Sequence, residues 1–534
     1  MRDRNQNYRY GSARWADEDD IARAGLFDGK GLPFGYFNNR LLWFDSDAPR
    51  IVFGGSGCGK STNLLIPILI HPNPMPMAVL DPRGELWAVS IYTLAAQGIY
   101  AYNWNPFRQN GQPSHSINPL EHLKPNSPTL FAEIQRLVRA LIQLSGSGSG
   151  KFFELTAQNV LSALILDDVN SNGWTSFPRL YERINMIEGD LGAWADVLEN
   201  MQKSPDPYLR TAANAMMSRQ IDDVKLFSSI MAEIYAYTVW LNDPMIRESL
   251  KGGDASLSEM VDGKCPVRFY FNVPGDLLEF CSPILRVFFD SIMALKSRKP
   301  QAKPILLLID EAAMLGKFDA LKTAFTFGRG AGIVTWAVFQ DLGQLSAYGN
   351  SGVQTFLGSS ALRIFMGTRE HTTANIVSQM CGDETLEYGD ETRIANAHYQ
   401  KQAQIEALMS GADPVQAVQA YAHFDDASRR LSKMQRRLIK PSEVTDLPED
   451  EMIAFISGKG LPPILCNKYP YFTRREMAGR YLPNPYHPPT DRVKVRGMFG
   501  DKWLKVREIR VPEKYAHFPQ YCLGTALEIE SYPL

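Results

Sequence analysis

The sequence has few of the features that mark secreted, zinc-binding or membrane-spanning proteins. Its six cysteines are scattered over 534 residues without a C-x-x-C pair, and its eight histidines are not clustered. Neither a disulfide framework nor a zinc site is therefore predicted. No apolar run reaches the roughly 20 residues of a membrane helix, and the polar, basic amino-terminal segment lacks the apolar core of a secretory signal. We expect a cytoplasmic protein, and we predict no transmembrane segment in this chain.

Net charge is also nearly absent. The formal charge is −2, from 56 basic and 58 acidic residues, so nucleic acid would have to bind through local basic patches. The chain is 45% hydrophobic and 21% charged. This composition is typical of a folded protein, and the length is sufficient for two or three domains.

A glycine-rich run is the most informative feature that is present. Residues 53–62 read FGGSGCGKST, which contains the complete phosphate-loop pattern G-x-x-x-x-G-K-[ST]. An apolar strand at 50–53 precedes it, and a helix at 61–70, bent or ended near Pro67, follows. In that context backbone N–H groups and the helix N-terminus converge on phosphates, whereas the alternative is a glycine linker. The predicted nucleotide-binding residues are Gly54, Gly55, Ser56, Gly57, Cys58, Gly59, Lys60, Ser61 and Thr62.

A second motif supplies carboxylates. Residues 303–318 read KPILLLIDEAAMLGKF, an apolar run typical of a strand buried on both faces of a parallel sheet, ending at Asp310 and Glu311. Beside a phosphate loop, we expect Asp310 to hold Mg²⁺ through water and Glu311 to be the base that polarises the attacking water. Lys60 would reach the β- and γ-phosphates of ATP, and Ser61 would ligate Mg²⁺. Alternatively, Asp310 caps the next helix.

The remaining patterns predict an α/β fold. Strand-like runs lie at 76–85, 98–106, 266–274, 331–341 and 360–368, and each is followed by a helix or turn, which favours a parallel sheet with helices on both faces. Ligands of such sheets bind at the carboxyl ends of strands, where Asp81, Asp310 and Gln340 lie unless they only cap turns. Helical spacing over 112–260 predicts an inserted all-α domain, interrupted by a linker-like run at 145–151. We expect its aromatics, including Trp194 and Trp240, to belong to its core.

In order along the chain, these segments resemble one family. The phosphate loop is followed by NLLIPILI, LDPRGELW, NWNPF, INPL, LLLIDEAAMLGKF, GRGAGIVTWAVFQDLGQL, LRIFMGT and RRLIKPSEVTDLPEDEMIAFISGKGLPPILCNKYPYF. This series, over roughly residues 9–485, is similar to the type IV coupling proteins, the TraG/TraD-type ATPases of bacterial conjugation and type IV secretion. The ordered series is more specific than either nucleotide motif alone.

The resemblance implies a RecA-like P-loop NTPase domain with a mainly parallel central sheet and an inserted all-α domain. The domain boundaries it suggests are 1–45 for an amino-terminal segment, 46–111 with 261–490 for the nucleotide domain, 112–260 for the all-α domain and 491–534 for a tail. It implies a homo-hexamer with ATP at subunit interfaces, Arg329 as the finger toward a neighbour's γ-phosphate and Gln340 as a γ-phosphate sensor. The alternative for Arg329 is a cation at a helix end.

Two departures from the family pattern stand out. Arg83 occupies a position where the family often has Lys, and the two cations are not interchangeable. The usual pair of amino-terminal membrane helices is missing, so either this member is naturally without an anchor or a segment is not in this chain. The expected location is the cytoplasmic face of the bacterial inner membrane, beside type IV secretion components.

Three functions remain open from the sequence. The first is an ATPase, whose hydrolysis we expect DNA to stimulate, that drives single-stranded DNA or a relaxase–DNA complex into a conjugation channel. The second is the same ATPase acting on protein effectors, and the third is a nucleotide-dependent docking platform with little turnover. The basic run at 428–440 either lines a DNA path or is a solvated helix face. The tail at 491–534 either covers an edge of the nucleotide domain or recognises cargo, and we favour covering.

Overall fold

An eleven-stranded sheet forms the centre of the computed structural model, which describes residues 10–144, 149–349, 351–411, 413–429, 432–498 and 500–533. The strands of this sheet are β1 (Leu32–Phe37), β2 (Arg40–Phe44), β3 (Arg50–Gly54), β4 (Met77–Asp81), β5 (Tyr100–Trp104), β6 (Val267–Asn272), β7 (Ile305–Ile309), β8 (Ile333–Phe339), β9 (Leu362–Met366), β12 (Glu451–Ile456) and β13 (Ile464–Asn467). Two further strands, β10 (Asp383–Tyr388) and β11 (Ser432–Arg437), form a ribbon, and β14 (Arg492–Gly497), β15 (Gly500–Arg510) and β16 (Thr525–Ile529) form a small sheet.

The central sheet is parallel over most of its width. Its order is β2-β1-β13-β12-β9-β3-β8-β7-β4-β6-β5, and the strands from β9 to β5 all run parallel. Strands β3, β7 and β8 are buried along their whole length, because apolar side chains on both faces are covered by other elements. The expected α/β class with a mainly parallel sheet is confirmed.

The other end of the sheet is antiparallel and includes the beginning of the chain. Strands β12, β13, β1 and β2 continue from β9 in antiparallel pairs. The hairpin β1–β2 lies within the segment 1–45, which the sequence suggested as a separate unit. Its side chains Phe34 and Phe44 are buried in the same core as strand β3, so this hairpin is part of the central sheet.

Helices cover both faces and fill the long connection from β5 to β6. The helices are α1 (Glu18–Arg23), α2 (Ile66–Ile70), α3 (Glu85–Ser90), α4 (Leu130–Leu141), α5 (Ser149–Asn172), α6 (Phe177–Gly189), α7 (Leu191–Lys203), α8 (Pro207–Asp222), α9 (Val224–Thr238), α10 (Pro244–Ser249), α11 (Glu259–Asp262), α12 (Leu278–Arg298), α13 (Asp319–Phe327), α14 (Gly352–Ser359), α15 (His371–Cys381), α16 (Glu391–Met409), α17 (Pro414–Arg429) and α18 (Pro441–Thr445).

The helical region agrees in character with the predicted inserted domain. Helices α4 to α10 contain its secondary structure, and Trp194 and Trp240 are buried in their core. Residues 145–148 of the linker-like run lie outside the described residues, and α5 begins at Ser149. The exact domain boundaries stay a prediction.

The basic run at 428–440 is not a helix face. Apart from residues 430 and 431, which lie outside the described residues, α17 ends at Arg429 and the run continues as strand β11. Strand β11 pairs with β10, and the Arg436 guanidinium lies 3.0 Å from Glu384 and 2.6 Å from Glu443. The alternative of a solvated helix face was therefore wrong. The spacing of the cations fits a helix or a strand equally well, and the carboxylates that pair with Arg436 lie outside the run.

The carboxyl-terminal tail covers the outer edge of strand β5. The buried Gln520 side chain accepts a hydrogen bond from the Ala101 N–H at 3.0 Å and donates one to the Ile99 carbonyl at 3.1 Å. An uncovered edge strand would leave such backbone groups available to another chain. The tail therefore closes this edge of the sheet, which agrees with the favoured expectation. No described helix has the length and apolar character needed to span a membrane.

Candidate active site

The phosphate loop leaves β3 and enters a helical segment, as the motif predicts. Gly57 and Gly59 adopt left-handed backbone conformations, with φ of 76° and 84°, which glycine adopts without steric cost. A Cβ on Gly55 would lie 2.7 Å from the Gly367 carbonyl oxygen. The first turn, Ser61–Leu65, is a π-helical turn, after which α2 runs through Pro67 to Ile70. The helix does not end at Pro67 because this proline lies in the first turn of α2, where a missing N–H is tolerated.

The Lys60 amine joins the loop to two strand ends. Its Nζ donates to the Gly54 carbonyl at 3.0 Å and lies 3.0 Å from Oε1 of Glu311. The other oxygen of Glu311 accepts a hydrogen bond from Nε2 of Gln340 at 3.2 Å. Three residues that the sequence selected on separate segments therefore form one connected network at the carboxyl ends of β3, β7 and β8.

Glu311 has an unusual backbone conformation. Its φ is 53° and its ψ is 50°, which lie in the left-handed region. For a residue with a Cβ, this backbone conformation costs roughly 1–2 kcal/mol of conformational free energy. Its N–H donates to Oδ1 of Asp310 at 3.1 Å. Such outliers concentrate at functional sites, and here the turn directs the Glu311 carboxylate toward Lys60.

Negative charge accumulates beside this network. Burial, followed by the nearby charge of Glu311, raises the pKa of Asp310 to about 7, against the opposing effect of Lys60. Burial also raises the pKa of Asp81 to about 7, and the nearby charges of Glu85 and Asp310 add to this effect, whereas a hydrogen bond from the Trp87 N–H opposes it. The second oxygen of Asp81, Oδ1, is buried and has no hydrogen-bond partner among the residues that the structure describes. A divalent cation would relieve this excess of buried negative charge.

The donor set fits a cation held partly by phosphate. Among the described residues, no group of three or more His, Cys, Asp or Glu side chains is arranged to bind a metal by itself. Mg²⁺ in nucleotide sites is usually bound by one or two protein groups, the phosphates and water. Ser61 and Asp310 line the same cavity, so they fit this minimal protein contribution.

One cavity contains these residues. Its volume is about 710 Å³, and it is lined by the phosphate loop, the ends of β7 and β8, Arg83, and a wall from residues 470–503. The members that the sequence selected are Ser56, Gly57, Gly59, Lys60, Ser61, Thr62, Asp310, Glu311 and Gln340. Gly54 and Cys58 of the loop do not line the cavity. The Gly54 carbonyl accepts a hydrogen bond from Lys60, and the Cys58 carbonyl accepts one from Lys468.

The second of these lysines was missed by sequence reasoning. Lys468 is 3% exposed, and its Nζ donates to the Cys58 carbonyl at 2.6 Å. Burial lowers the pKa of Lys468, yet the amine stabilises the back of the phosphate loop. Asn484, also missed, donates to Oε2 of Glu85 at 3.0 Å. The one sequence signal for Lys468 was its position as a polar residue directly after strand β13. That position does not indicate which group the side chain contacts.

Arg329 does not lie in the cavity of its own chain. It occupies the turn Gly328–Ala331 before β8, and its Nε lies 2.8 Å from Oδ1 of Asp47. The side chain is 68% exposed. Because Gln340 follows the opposite end of β8, seven residues at roughly 3.3 Å each separate the two positions by about 20 Å along the strand. The structure therefore brings Lys60, Glu311 and Gln340 together and leaves Arg329 apart.

Known proteins share the fold and the sequence pattern. Protein VirD4 of Rhizobium radiobacter is 24% identical over 490 residues, covering 89% of this chain and 65% of the relative. Conjugal transfer protein TraG of Agrobacterium fabrum is 26% identical over 459 residues, covering 84% and 64%. The chain thus spans less than two thirds of the length of these two relatives.

Solved structures of the conjugative coupling protein TrwB share the fold. A form of TrwB in complex with sulphate matches with a TM-score of 0.60 at 16% identity, covering 86% of this chain and 93% of that one. TrwB in complex with ADP and Mg²⁺ matches with a TM-score of 0.58 at 15% identity, with the same coverage. A family model described as type IV secretory system conjugative DNA transfer matches residues 14–491. The resemblance found in the sequence is confirmed, and the chain belongs to this family.

Proposed function

We propose that this chain is a P-loop ATPase that couples nucleotide hydrolysis to the movement of DNA, or of a relaxase–DNA complex, into a type IV secretion channel. The observation that carries the proposal is the network of Lys60, Glu311 and Gln340 at the mouth of a complete phosphate loop. A protein that only binds nucleotide does not need a carboxylate held against the lysine of the phosphate loop. Membership of the conjugative DNA-transfer family supports DNA as the substrate.

The residues have distinct roles in this proposal. The loop N–H groups and Lys60 bind the phosphates, and the γ-phosphate competes with Glu311 for the Lys60 amine. Glu311, once released from Lys60, accepts the proton of the attacking water, while Gln340 keeps the carboxylate oriented. Ser61 and Asp310 would hold Mg²⁺, which when bound neutralises developing charge on the phosphates.

The active form in this proposal is a homo-hexamer at the cytoplasmic face of the inner membrane, in contact with the secretion machinery. Arg329 supports a ring because it is exposed and distant from the cavity of its own chain. From a neighbouring subunit it would supply the finger, a contribution of about 10³ to 10⁵ in rate. Its ion pair with Asp47 would have to open on assembly.

The test is ATP hydrolysis by the purified chain over a range of protein concentrations, with and without single-stranded DNA. We expect a rate that rises cooperatively with concentration and is stimulated by DNA. Lys60→Ala should abolish hydrolysis, and Arg329→Ala should abolish it while nucleotide binding is kept. Hydrolysis that survives Lys60→Ala, or a rate per subunit that is independent of both concentration and Arg329, would overturn the proposal.

A second candidate is an ATPase that moves protein effectors. The hairpin of α16 and α17 favours it, since Met409, Val415 and Val418 near its turn are 86%, 65% and 60% exposed, a surface typical of protein contacts. The paired charge of Arg436 also weakens the case for a DNA path along β11. Hydrolysis that is stimulated by an effector protein and not by DNA would favour this candidate.

A further inference from the structure

The carboxyl-terminal sheet forms one wall of the nucleotide cavity, and all three of its strands lie beyond residue 491, where the family match ends. Arg492 and Lys494 on β14 and Trp503 on β15 line this wall. The alternate residues Val493 and Val495 are buried in the protein core. Val493 also contributes to the cavity lining, but successive side chains of a strand point to opposite faces, so the core contacts of Val493 and Val495 leave Arg492 and Lys494 on the more exposed face of β14.

Trp503 of β15 lies beside that face of β14. It is directly opposite Lys494 in the antiparallel register of β14 and β15, so the two side chains are neighbours. The Trp503 side chain is 54% exposed and lines the cavity, so its indole is accessible to a ligand there. Both cations on the wall already have partners, since Arg492 lies 2.8 Å from Asp491 and Lys494 lies 2.9 Å from Asp501. On this wall the side chain left to contact a ligand is therefore the indole of Trp503.

The cavity thus has two chemically different sides. One side is the phosphate loop with Lys60 and Ser61, which suits an anion. The other combines Trp503 with apolar and aromatic side chains of the preceding segment, including Phe472 and Leu482. The volume of about 710 Å³ lies within the range of roughly 300–1,000 Å³ for small-ligand pockets. A nucleoside triphosphate has the same division, with a charged end and a flat aromatic end.

We propose that the carboxyl-terminal sheet supplies the base-binding wall of the nucleotide site, with Trp503 as the surface on which the base stacks. This inference rests on the proposed nucleotide binding and extends it to a segment outside the family match. Stacking on an aromatic side chain contributes about 1–3 kcal/mol per base and accepts every base, because each base has a π-face. The wall therefore strengthens nucleotide binding without choosing between adenine and guanine.

The test compares two ligands of the full chain by isothermal titration calorimetry, Mg²⁺ with ATP and Mg²⁺ with tripolyphosphate. Tripolyphosphate retains the charged end and lacks the base. Trp503→Ala should weaken ATP binding about 5- to 150-fold and leave tripolyphosphate binding unchanged. Trp503→Phe should retain most of the ATP affinity, and GTP should bind within a few-fold of ATP.

Controls separate this inference from the proposed function. Trp174→Ala removes another exposed tryptophan, from outside the cavity, and should change neither affinity. Lys60→Ala should weaken both ligands. If Trp503→Ala binds ATP as the unaltered protein does, or loses both ligands equally, the stacking role of Trp503 is refuted while nucleotide binding stands. If the unaltered protein binds neither ligand, the proposed function fails and this inference fails with it.

Discussion

Replacing Asp81 with asparagine should stabilise the protein at alkaline pH. The Asp81 carboxyl is 1% exposed at the end of β4. One oxygen accepts from the Trp87 N–H at 2.8 Å, and the other has no hydrogen-bond partner in the described part of the chain. An asparagine would keep the acceptor for Trp87 and place an amide donor near Glu85 and Asp310, whose charges raise the pKa of Asp81.

The magnitude follows from the pKa of Asp81, which rises from an ordinary 3.8 to about 7 on folding. Because the folded pKa is the higher one, the folded protein retains the proton longer, and the unfavourable ionisation reduces stability as pH rises from about 4 through 7. One pH unit corresponds to about 1.4 kcal/mol, which gives an upper bound of about 4 kcal/mol at pH 8 and less than about 2 kcal/mol at pH 5. The asparagine variant escapes this loss.

The assay is urea unfolding followed by circular dichroism at pH 5 and pH 8. We expect the midpoint of Asp81→Asn to exceed that of the unaltered protein at pH 8 by clearly more than at pH 5. Asp196→Asn, which changes an exposed carboxylate of α7, is the matched control and should shift neither midpoint. A lower midpoint for Asp81→Asn at pH 8, or the same gain at both pH values, would refute the assignment of Asp81 as a buried, costly charge.

Three further substitutions test other contacts. Glu311→Gln should reduce single-turnover hydrolysis by about 10²- to 10⁴-fold while ATP affinity measured by calorimetry stays equal or rises, because Lys60 loses a competing anion; a fall in both would contradict the role of Glu311 as a base. Lys468→Met should weaken ATP binding by about tenfold or more, since it removes a charged hydrogen bond of roughly 1.5–3 kcal/mol from the Cys58 carbonyl; unchanged affinity would show that the loop does not need this support. Gln520→Ala should speed hydrogen exchange of the Ala101 amide more than Gln520→Glu, which keeps the acceptor oxygen; equal protection in all three proteins would exclude edge capping by this side chain.

The sequence was most informative where the determinants are close together in the chain. The phosphate loop needs glycines at fixed spacing between a strand and a helix, and the structure has them there. The carboxylates after β7 could also be identified from the sequence, because a fully buried parallel strand is a continuous apolar run and these two residues directly follow it. From these two motifs one nucleotide site containing Lys60 and Glu311 could be predicted, and the further strand-like runs followed by helices predicted the α/β class; the direct contact between Lys60 and Glu311 was not predicted. The catalytic roles remain predictions.

Contacts between distant segments could not be read in the same way. Lys468 and Cys58 are 410 positions apart, and nothing local to either residue selects the other. The hairpin β1–β2 joins the sheet through β13, a pairing set by the assembled core. The wall at Trp503 depends on the register of two short strands with mixed polarity, for which periodicity gives a weak signal. Of the two alternatives for the basic run at 428–440, the helix face was wrong for the part that forms β11, because charge spacing does not determine secondary structure.

The separation of Arg329 from the cavity of its own chain has a consequence for mixed assemblies. In the proposed ring, each interface takes its phosphate loop from one subunit and its arginine from the next. Lys60→Ala and Arg329→Ala subunits are each inactive alone, yet an interface between an intact loop on one and an intact arginine on the other lacks nothing. Mixing the two inactive variants should therefore restore hydrolysis at a fraction of the interfaces. Activity would then depend on which two subunits meet at an interface and not on either chain alone.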